Sequence, residues 1–289
     1  MWRRRGTKDD LPLRGNPRHK GTKWTPGSEY PPTTNYPLLT TNYLPLDPSY
    51  TEQYEQFELH HWWHIVRRRI IHEAIRRHVP NHRAARWLDV GCGTGVLLNS
   101  LPEIPTRLGL ELDAGLVERG KAKGLDIRLT APDWNFTPYG QFDLITLCDV
   151  IEHVGRESDA MNAVDAVLKP GGILLVTVPA LMSLWSGHDI VNHHERRYTR
   201  RTLLNAFAPP GRWEIIKVSY FSSLLLPLIW TARKLKNWRE GLDPATATHD
   251  MGGEPMPWLF SSIFGLEVPW LRVGSFPLGS SLIAVARKQ

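Results

Sequence analysis

The chain has 289 residues, of which 42% are hydrophobic and 22% are charged, and its formal net charge is +6. That balance is typical of a globular protein with one sizeable domain and additions. Two cysteines are too few for a disulfide scaffold. No apolar run reaches the ~20 residues of a membrane-spanning helix, and the N-terminus lacks a signal-peptide core. We therefore expect a cytoplasmic protein, whose basic charge permits an anionic partner without establishing one.

The first 48 residues are basic and contain many prolines, so they bury too little apolar surface to offset the entropy of ordering. We expect residues 1–48 to form an extended N-terminal arm. A near-repeat within it, TTNYPLL followed by TTNYLPL, either lies over the domain or a partner subunit or belongs to a mobile tail.

Apolar residues at helical spacing predict one helix within residues 49–80, and Pro80 ends it. We expect this helix to pack on a sheet and to act as a lid over the active site. Two adjacent tryptophans point about 100° apart, so Trp63 is predicted to meet the substrate. Arginines between the apolar positions, including Arg67, are predicted to form a solvated face.

The segment WLDVGCGTGVLL, residues 87–98, predicts a buried strand, a glycine loop and the start of a helix. Glycine at alternate positions allows a backbone to turn tightly against a ligand. No Lys-Ser or Lys-Thr follows, which excludes a P-loop, and the spacing differs from the dinucleotide fingerprint. At this point the chain resembles the class I S-adenosylmethionine-dependent methyltransferases, whose first motif has the form D-x-G-x-G-x-G.

Later segments extend the resemblance: an acid ending a second strand, QFDLITLCDVIEHV at residues 141–154, and L-K-P-G-G before a fifth, apolar strand. The resemblance implies an α/β, Rossmann-like, doubly wound sheet of seven strands with one reversed. It also implies binding of S-adenosyl-L-methionine, with S-adenosyl-L-homocysteine as product. The implied cofactor-binding residues are Asp89, Gly91, Gly93, Gly95, Glu111, Asp133, Trp134 and Asp149. Two alternatives stay open. Asp113 could take the place of Glu111 as the acid at the end of the second strand, and Asp133 could merely cap a turn.

After the fifth strand the chain resembles a bacterial subgroup of that family with the pattern W-S-x-H-D-x-x-x-x-H-x-R-R-Y-T. We expect His188 or His194 to act as a base, oriented by Asp189, because histidine exchanges a proton near neutral pH. The predicted substrate-binding residues are Trp63, His153, Trp185, Arg196, Arg197 and Tyr198. In one alternative, Arg196, Arg197 and Tyr198 merely brace the loop.

A metal is not predicted, although a second alternative places one at His188, Asp189 and His194, since histidine and carboxylate are metal ligands. Glu152 and His153 are expected to organise the site as helix-start residues. The family's [DN]-P-P-[YF] tetrad is missing, which argues against amino-methylation of DNA or glutamine.

Residues 81–220 are predicted to form the cofactor-binding core, residues 221–279 a helical cap insertion and residues 280–289 the final strand. Within the cap, residues 221–238 are apolar first and basic later, as in a lid helix or a helix lying on a membrane surface. We expect O-methylation of a small-molecule, lipid-linked or peptide acceptor. The alternatives are an RNA or protein methyltransferase that uses the basic arm, and a cofactor-binding scaffold without activity.

Overall fold

A computed structural model of the chain describes residues 55–209, 211–242 and 257–289. The predicted arm at 1–48, the first residues of the predicted lid helix and residues 243–256 of the predicted cap insertion lie outside the described residues. Seven strands form one sheet in the order β3-β2-β1-β4-β5-β7-β6. They are β1 Arg86–Val90, β2 Thr106–Glu111, β3 Ile127–Leu129, β4 Phe142–Cys148, β5 Leu168–Pro179, β6 Trp213–Phe221 and β7 Ser281–Lys288.

The sheet confirms the predicted fold class. Strands β1 to β5 pair in parallel, whereas β7 lies antiparallel between β5 and β6. Strand order reverses between β1 and β4, so the loops that follow these two strands open a crevice at their carboxyl ends. In open α/β sheets such a crevice is where ligands bind.

The named α-helices of the described residues are α1 Trp62–His78, α2 Val96–Asn99, α3 Ala114–Ala122, α4 Glu157–Val167, α5 Gly187–Val191, α6 Arg200–Ala206, α7 Leu226–Glu240, α8 Pro257–Gly265 and α9 Glu267–Val273. The predicted single helix at 49–80 is interrupted. Residues 55–60 are helical, then His61 has an extended backbone and caps α1 through a hydrogen bond from the Trp63 amide. Near the end of the predicted cap insertion, residues 257–273 form two helices, α8 and α9.

Each face of the sheet carries a buried apolar layer. One layer contains the apolar side of α4, with Met161 and Val164 fully buried. The other layer receives α1 together with the cap helices α8 and α9. There the Trp62 ring lies 5.5 Å from Phe260, and Phe264 stacks on Phe221. The helix α1 and the cap helices α8 and α9 therefore pack together on one face of the sheet.

One expectation about this helix is wrong. Arg67 was predicted on a solvated face, yet only 8% of it is exposed. It shares the apolar side of α1 with Ile70 and Ile71, which lie three and four residues further on. An arginine in that position is a buried charge that needs a partner.

Both cysteines, Cys92 and Cys148, are free thiols, as expected from their number. Within the described part of the chain, no helix combines the length and the apolar character needed to cross a membrane.

Candidate active site

The glycine loop after β1 has the left-handed backbone that its sequence predicts. The φ angles of Gly91, Gly93 and Gly95 are +68°, +57° and +76°. A Cβ atom added to Gly91 would lie 2.8 Å from Val150, and one added to Gly95 would lie 2.6 Å from Leu125. Real side chains are not tolerated at such distances, so the loop needs glycine for both conformation and space.

Carboxylates from β1 and β2 flank this loop. Glu111 accepts hydrogen bonds from the amides of Gly93 at 2.8 Å and of Leu112 at 2.7 Å. Asp89 is buried and accepts a hydrogen bond from Thr146. Asp113, the alternative to Glu111, instead caps α3 through the Leu116 amide. Glu111 therefore has the loop-facing position, and Asp113 has a structural one.

Burial raises the pKa values of both flanking carboxyl groups, Asp89 and Glu111. It raises the pKa of Asp89 to about 7, although the hydrogen bond from Thr146 opposes the shift. It also raises the pKa of Glu111, against three backbone hydrogen bonds. Groups with shifted pKa values inside a crevice are typical of functional sites.

Asp149, which follows β4, is held by the buried arginine of α1. Its φ angle is +59°. Its carboxylate lies 2.7 Å from Arg67 Nη2 and accepts a hydrogen bond from Thr177 at 3.2 Å. Sequence reasoning missed Arg67, and the signal that points to it is an arginine inside an apolar helical stripe. Trp63, predicted to meet substrate, lies with its ring 5.5 Å from the Arg67 guanidinium carbon and so borders the same crevice.

Asp133 and Trp134 are less clearly placed in the site. The exposed Asp133 carboxylate accepts a hydrogen bond from the Asn135 amide at 3.1 Å, which confirms the turn-capping alternative. Trp134 packs against one core layer, with its ring 5.9 Å from Phe136. Their predicted contact with a cofactor stays a prediction.

In the loop after β5, Asp189 holds His194. The Asp189 side chain is fully buried, and its Oδ1 lies 2.9 Å from His194 Nδ1. Charged and polar partners lower the pKa of this carboxyl well below its usual range although burial opposes them. An ionised carboxylate only accepts, so Nδ1 of His194 donates this hydrogen bond and Nε2 lies on the opposite side of the ring from Asp189. The contact is the one expected for a histidine that Asp189 orients, and the role of His194 as a base stays a prediction.

Arg197 is committed to the same carboxylate, contrary to its predicted role in substrate binding. Its Nε and Nη2 donate to Asp189 at 2.7 Å and 3.0 Å, and Nη1 donates to the Ala180 carbonyl at 3.1 Å. The side chain is 3% exposed. Arg197 therefore fixes Asp189 and has no surface on which to hold an acceptor, as the bracing alternative states.

Tyr198 also differs from its predicted role, whereas the contacts of Arg196 fit the bracing alternative. Tyr198 is 1% exposed, and its hydroxyl donates to the Ile151 carbonyl at 3.0 Å, so it belongs to the core. Arg196 is half-buried and pairs with Glu157 at 2.9 Å and with Glu195. Both side chains tie the loop after β5 to the segment that follows β4.

His188 is a weaker candidate for the base than His194. Desolvation of its ring, reinforced by the charge of Arg233, lowers its pKa to about 4. Its ring centroid is 6.4 Å from that of His194. Asp189 is also poorly suited to the alternative that places a metal at His188, Asp189 and His194. Both oxygens of Asp189 already accept hydrogen bonds from Arg197, and the carboxylate is wholly enclosed.

The structure brings Glu152 and His153 next to His194. The rings of His153 and His194 are 4.8 Å apart, and the main chains of Glu152 and Glu195 share a hydrogen bond of 2.8 Å. Trp185 lies on the rim of this loop, where its carbonyl accepts from Asn237 of α7 at 2.8 Å. The acceptor side of the crevice is therefore lined by the segments after β4 and β5, with the cap helix beside them.

Comparison with known proteins identifies the family. Its sequence profile, described as "Methyltransferase domain", matches residues 62–239, more than half of the chain. A ubiquinone biosynthesis O-methyltransferase of Nitrosococcus oceani is 30% identical over 148 residues, which cover 44% of this chain and 60% of that protein. The enzyme of the same name from Brucella ovis is 31% identical over 98 residues, covering 32% and 40%. These alignments span no more than 60% of the relatives' length.

Solved structures share the fold. A SAM-dependent methyltransferase of Mesorhizobium loti superposes with a TM-score of 0.50 at 18% identity, over 74% of this chain and 96% of that one. One from Thermotoga maritima gives a TM-score of 0.50 at 14% identity, over 84% and 97%. At these identities the likeness shows the architecture alone.

Proposed function

Because the chain belongs to the methyltransferase-domain family and is an S-adenosylmethionine-dependent enzyme, we propose that it methylates a hydroxyl group of a small molecule. The observation that carries this proposal is the His194 side chain, held by a buried aspartate next to the segment that follows β4. The name of the partly matching relatives, O-methyltransferases of ubiquinone biosynthesis, supports oxygen as the acceptor atom.

The residues around the glycine loop fit the cofactor. Glycines at three left-handed positions let the loop backbone lie close to a ligand, and Glu111 stands beside the loop with oxygens that each accept more than one hydrogen bond. When bound, S-adenosylmethionine supplies an electrophilic methyl group on its sulfonium sulfur. We assign its amino-acid end to the glycine loop and its ribose hydroxyls to Glu111.

The acceptor side then needs a group that removes the hydroxyl proton. His194 is the base in the simplest form of this mechanism, because Asp189 keeps the proton on Nδ1 and leaves Nε2 to receive another. Arg197 keeps Asp189 ionised and in place. The segment after β4 links the cofactor side of the crevice to the acceptor side. Val150 contacts the glycine loop, and Glu152, two residues further on, lies beside His194.

The lipid-linked form of the acceptor draws support from α7. Large apolar side chains on this helix reach the surface, with Leu228 51% and Trp238 81% exposed. Such a surface suits a substrate presented at a membrane. The basic arm at residues 1–48, on which the RNA or protein alternative rests, lies outside the described residues.

The function is tested with methyl-labelled S-adenosylmethionine, purified protein and extract of the source organism, fractionated into small molecules, lipid, protein and nucleic acid. We expect label in the small-molecule or lipid fraction. Label in protein or nucleic acid alone would replace the proposed acceptor class. Cofactor binding without label in any fraction would support an inactive scaffold.

The role of His194 is tested by His194→Gln. We expect turnover to fall at least about 100-fold, while calorimetry shows unchanged cofactor binding. His78→Gln, at the far end of α1, is the matched control and keeps both properties. Equal turnover in the two variants would remove His194 from the mechanism.

A further inference from the structure

Glu152 is a buried carboxylate whose role is unexplained by the fold. It is 0% exposed, and neither of its side-chain oxygens has a hydrogen-bond partner among the described residues. Buried polar atoms in native proteins are nearly always satisfied, and an unsatisfied buried charge is expensive. A group that removes this cost is a cation.

Two imidazoles stand beside this carboxylate. Ligand atoms of Glu152, His153 and His194, one from each, lie within 4.8 Å of one another. Some point then lies within about 2.8 Å of all three atoms, so a movement of about 0.7 Å or less reaches the 2.0–2.2 Å bonds of zinc.

The second nitrogen of each histidine is already engaged, as it is in metal sites. His194 Nδ1 bonds to Asp189, which Arg197 anchors. The ring of His153 has a hydrogen bond with the main chain of His193. Histidine ligands almost always donate their other N–H to a carboxylate or a backbone carbonyl, which fixes the ring and its tautomer. One nitrogen of each ring is thus left for a common third partner.

We propose that Glu152, His153 and His194 bind one divalent transition-metal ion on the acceptor side of the crevice. Two imidazoles and one carboxylate suit Zn²⁺ and related ions, and three protein ligands leave an open position. This inference rests on the proposed function, because the open position would receive the hydroxyl that is to be methylated. A cation lowers the pKa of an oxygen ligand, so the hydroxyl proton is lost to water and not to His194.

Binding is tested on the full chain without a polyhistidine tag, after dialysis against a chelator. Zn²⁺ is titrated by calorimetry, and Co²⁺ by its visible absorption, which reports tetrahedral coordination. We expect one ion per chain and at least tenfold weaker binding in Glu152→Gln, His153→Gln and His194→Gln. His78→Gln is the control and binds as the wild type does.

Two results would overturn the site: no stoichiometric ion in the wild type, or unchanged affinity in all three variants. Thermal melts guard against misfolding, because Zn²⁺ is expected to raise the melting temperature of the wild type but not of Glu152→Gln. Methyl transfer separates this inference from the proposed function. Full turnover of metal-free protein would leave a methyltransferase with His194 as base, whereas ion binding without any turnover would leave the metal site and reject the proposed acceptor chemistry.

Discussion

At the scale of single residues, two glycines with left-handed φ angles have different surroundings. Gly91 faces Val150 in the crevice, whereas Gly124, with φ at +78°, ends α3 with no atom within 4 Å of an added Cβ. A left-handed backbone costs an alanine about 1–2 kcal/mol in either place. Only at Gly91 must a neighbouring side chain, that of Val150 in the crevice, also move to make room for the added carbon.

This contrast predicts separable effects. Gly91→Ala and Gly124→Ala should both lower the free energy of unfolding in urea by about 1 kcal/mol or more. Gly91→Ala should also weaken S-adenosylmethionine binding by at least about tenfold, since the loop must shift. Calorimetry measures the affinity, and a comparable loss in Gly124→Ala would show that backbone strain alone is responsible.

Tyr198 offers a second test at this scale. Its hydroxyl donates inside the core, and removing it leaves the Ile151 carbonyl with one fewer partner. Tyr198→Phe should cost about 1 kcal/mol of stability and leave KM for the acceptor unchanged. A higher KM for the acceptor together with wild-type stability would support the predicted contact between Tyr198 and the substrate.

Asp89 makes stability depend on pH. Its folded pKa of about 7 lies above the ordinary 3.8, so the ligand-free folded protein keeps a proton that the unfolded chain releases. The protonated Asp89 therefore leaves the free energy of unfolding at its highest below pH ~4. This free energy falls as the pH rises towards 7, by up to about 1.4 kcal/mol per pH unit. Asp89→Asn does not titrate there, so its stability relative to wild type should rise from pH 4.5 to 7. Urea unfolding at both pH values measures it, and a constant difference contradicts the buried-carboxyl argument.

At the scale of elements, the ion pair between Arg67 and Asp149 joins α1 to the end of β4. The Arg67 side chain is 9% exposed and the Asp149 side chain 31%. The ion pair between Arg76 and Glu103 joins the same helix to the loop after α2, but its members are 48% and 21% exposed. Solvent therefore screens the attraction between Arg76 and Glu103 more strongly than the attraction between Arg67 and Asp149.

Arg67→Met should therefore destabilise the protein by about 2–3 kcal/mol, because it leaves Asp149 without its cation. Arg76→Met, on the same helix, should cost less than about 1 kcal/mol. Urea unfolding of the two variants compares the pairs directly. Equal losses would mean that the buried pair adds no more than the exposed one.

At the scale of the whole molecule, local patterns predicted the sheet and its order of elements. The glycine loop, the L-K-P-G-G turn and the fully apolar β5 each place one strand end, and parallel pairing brings those ends to one edge. The cap also followed from the long segment between β6 and β7. The interruption of the N-terminal helix at His61 was not predicted. There the His61 side chain caps α1, and this cap outweighs the helical spacing of the apolar residues.

The site was harder to predict than the fold. Motif spacing selected Asp189 and His194, yet it could not show that Arg197 and Tyr198 point inward, because neighbouring residues of a loop have no fixed period. The proximity of Glu152 to His194 depends on two loops that are about forty residues apart. Such tertiary contacts carry no local signal in a single sequence.

The position of β7 has a consequence for synthesis of the protein on the ribosome. This strand lies between β5 and β6, although it follows both in sequence by some sixty residues or more. Until residues 281–288 emerge, the inner edge of β5 has no partner on that side, and an apolar, unpaired strand is a template for aggregation. The nascent chain must therefore keep the edge of β5 covered, by a chaperone or by its own cap helices, until the gap is filled.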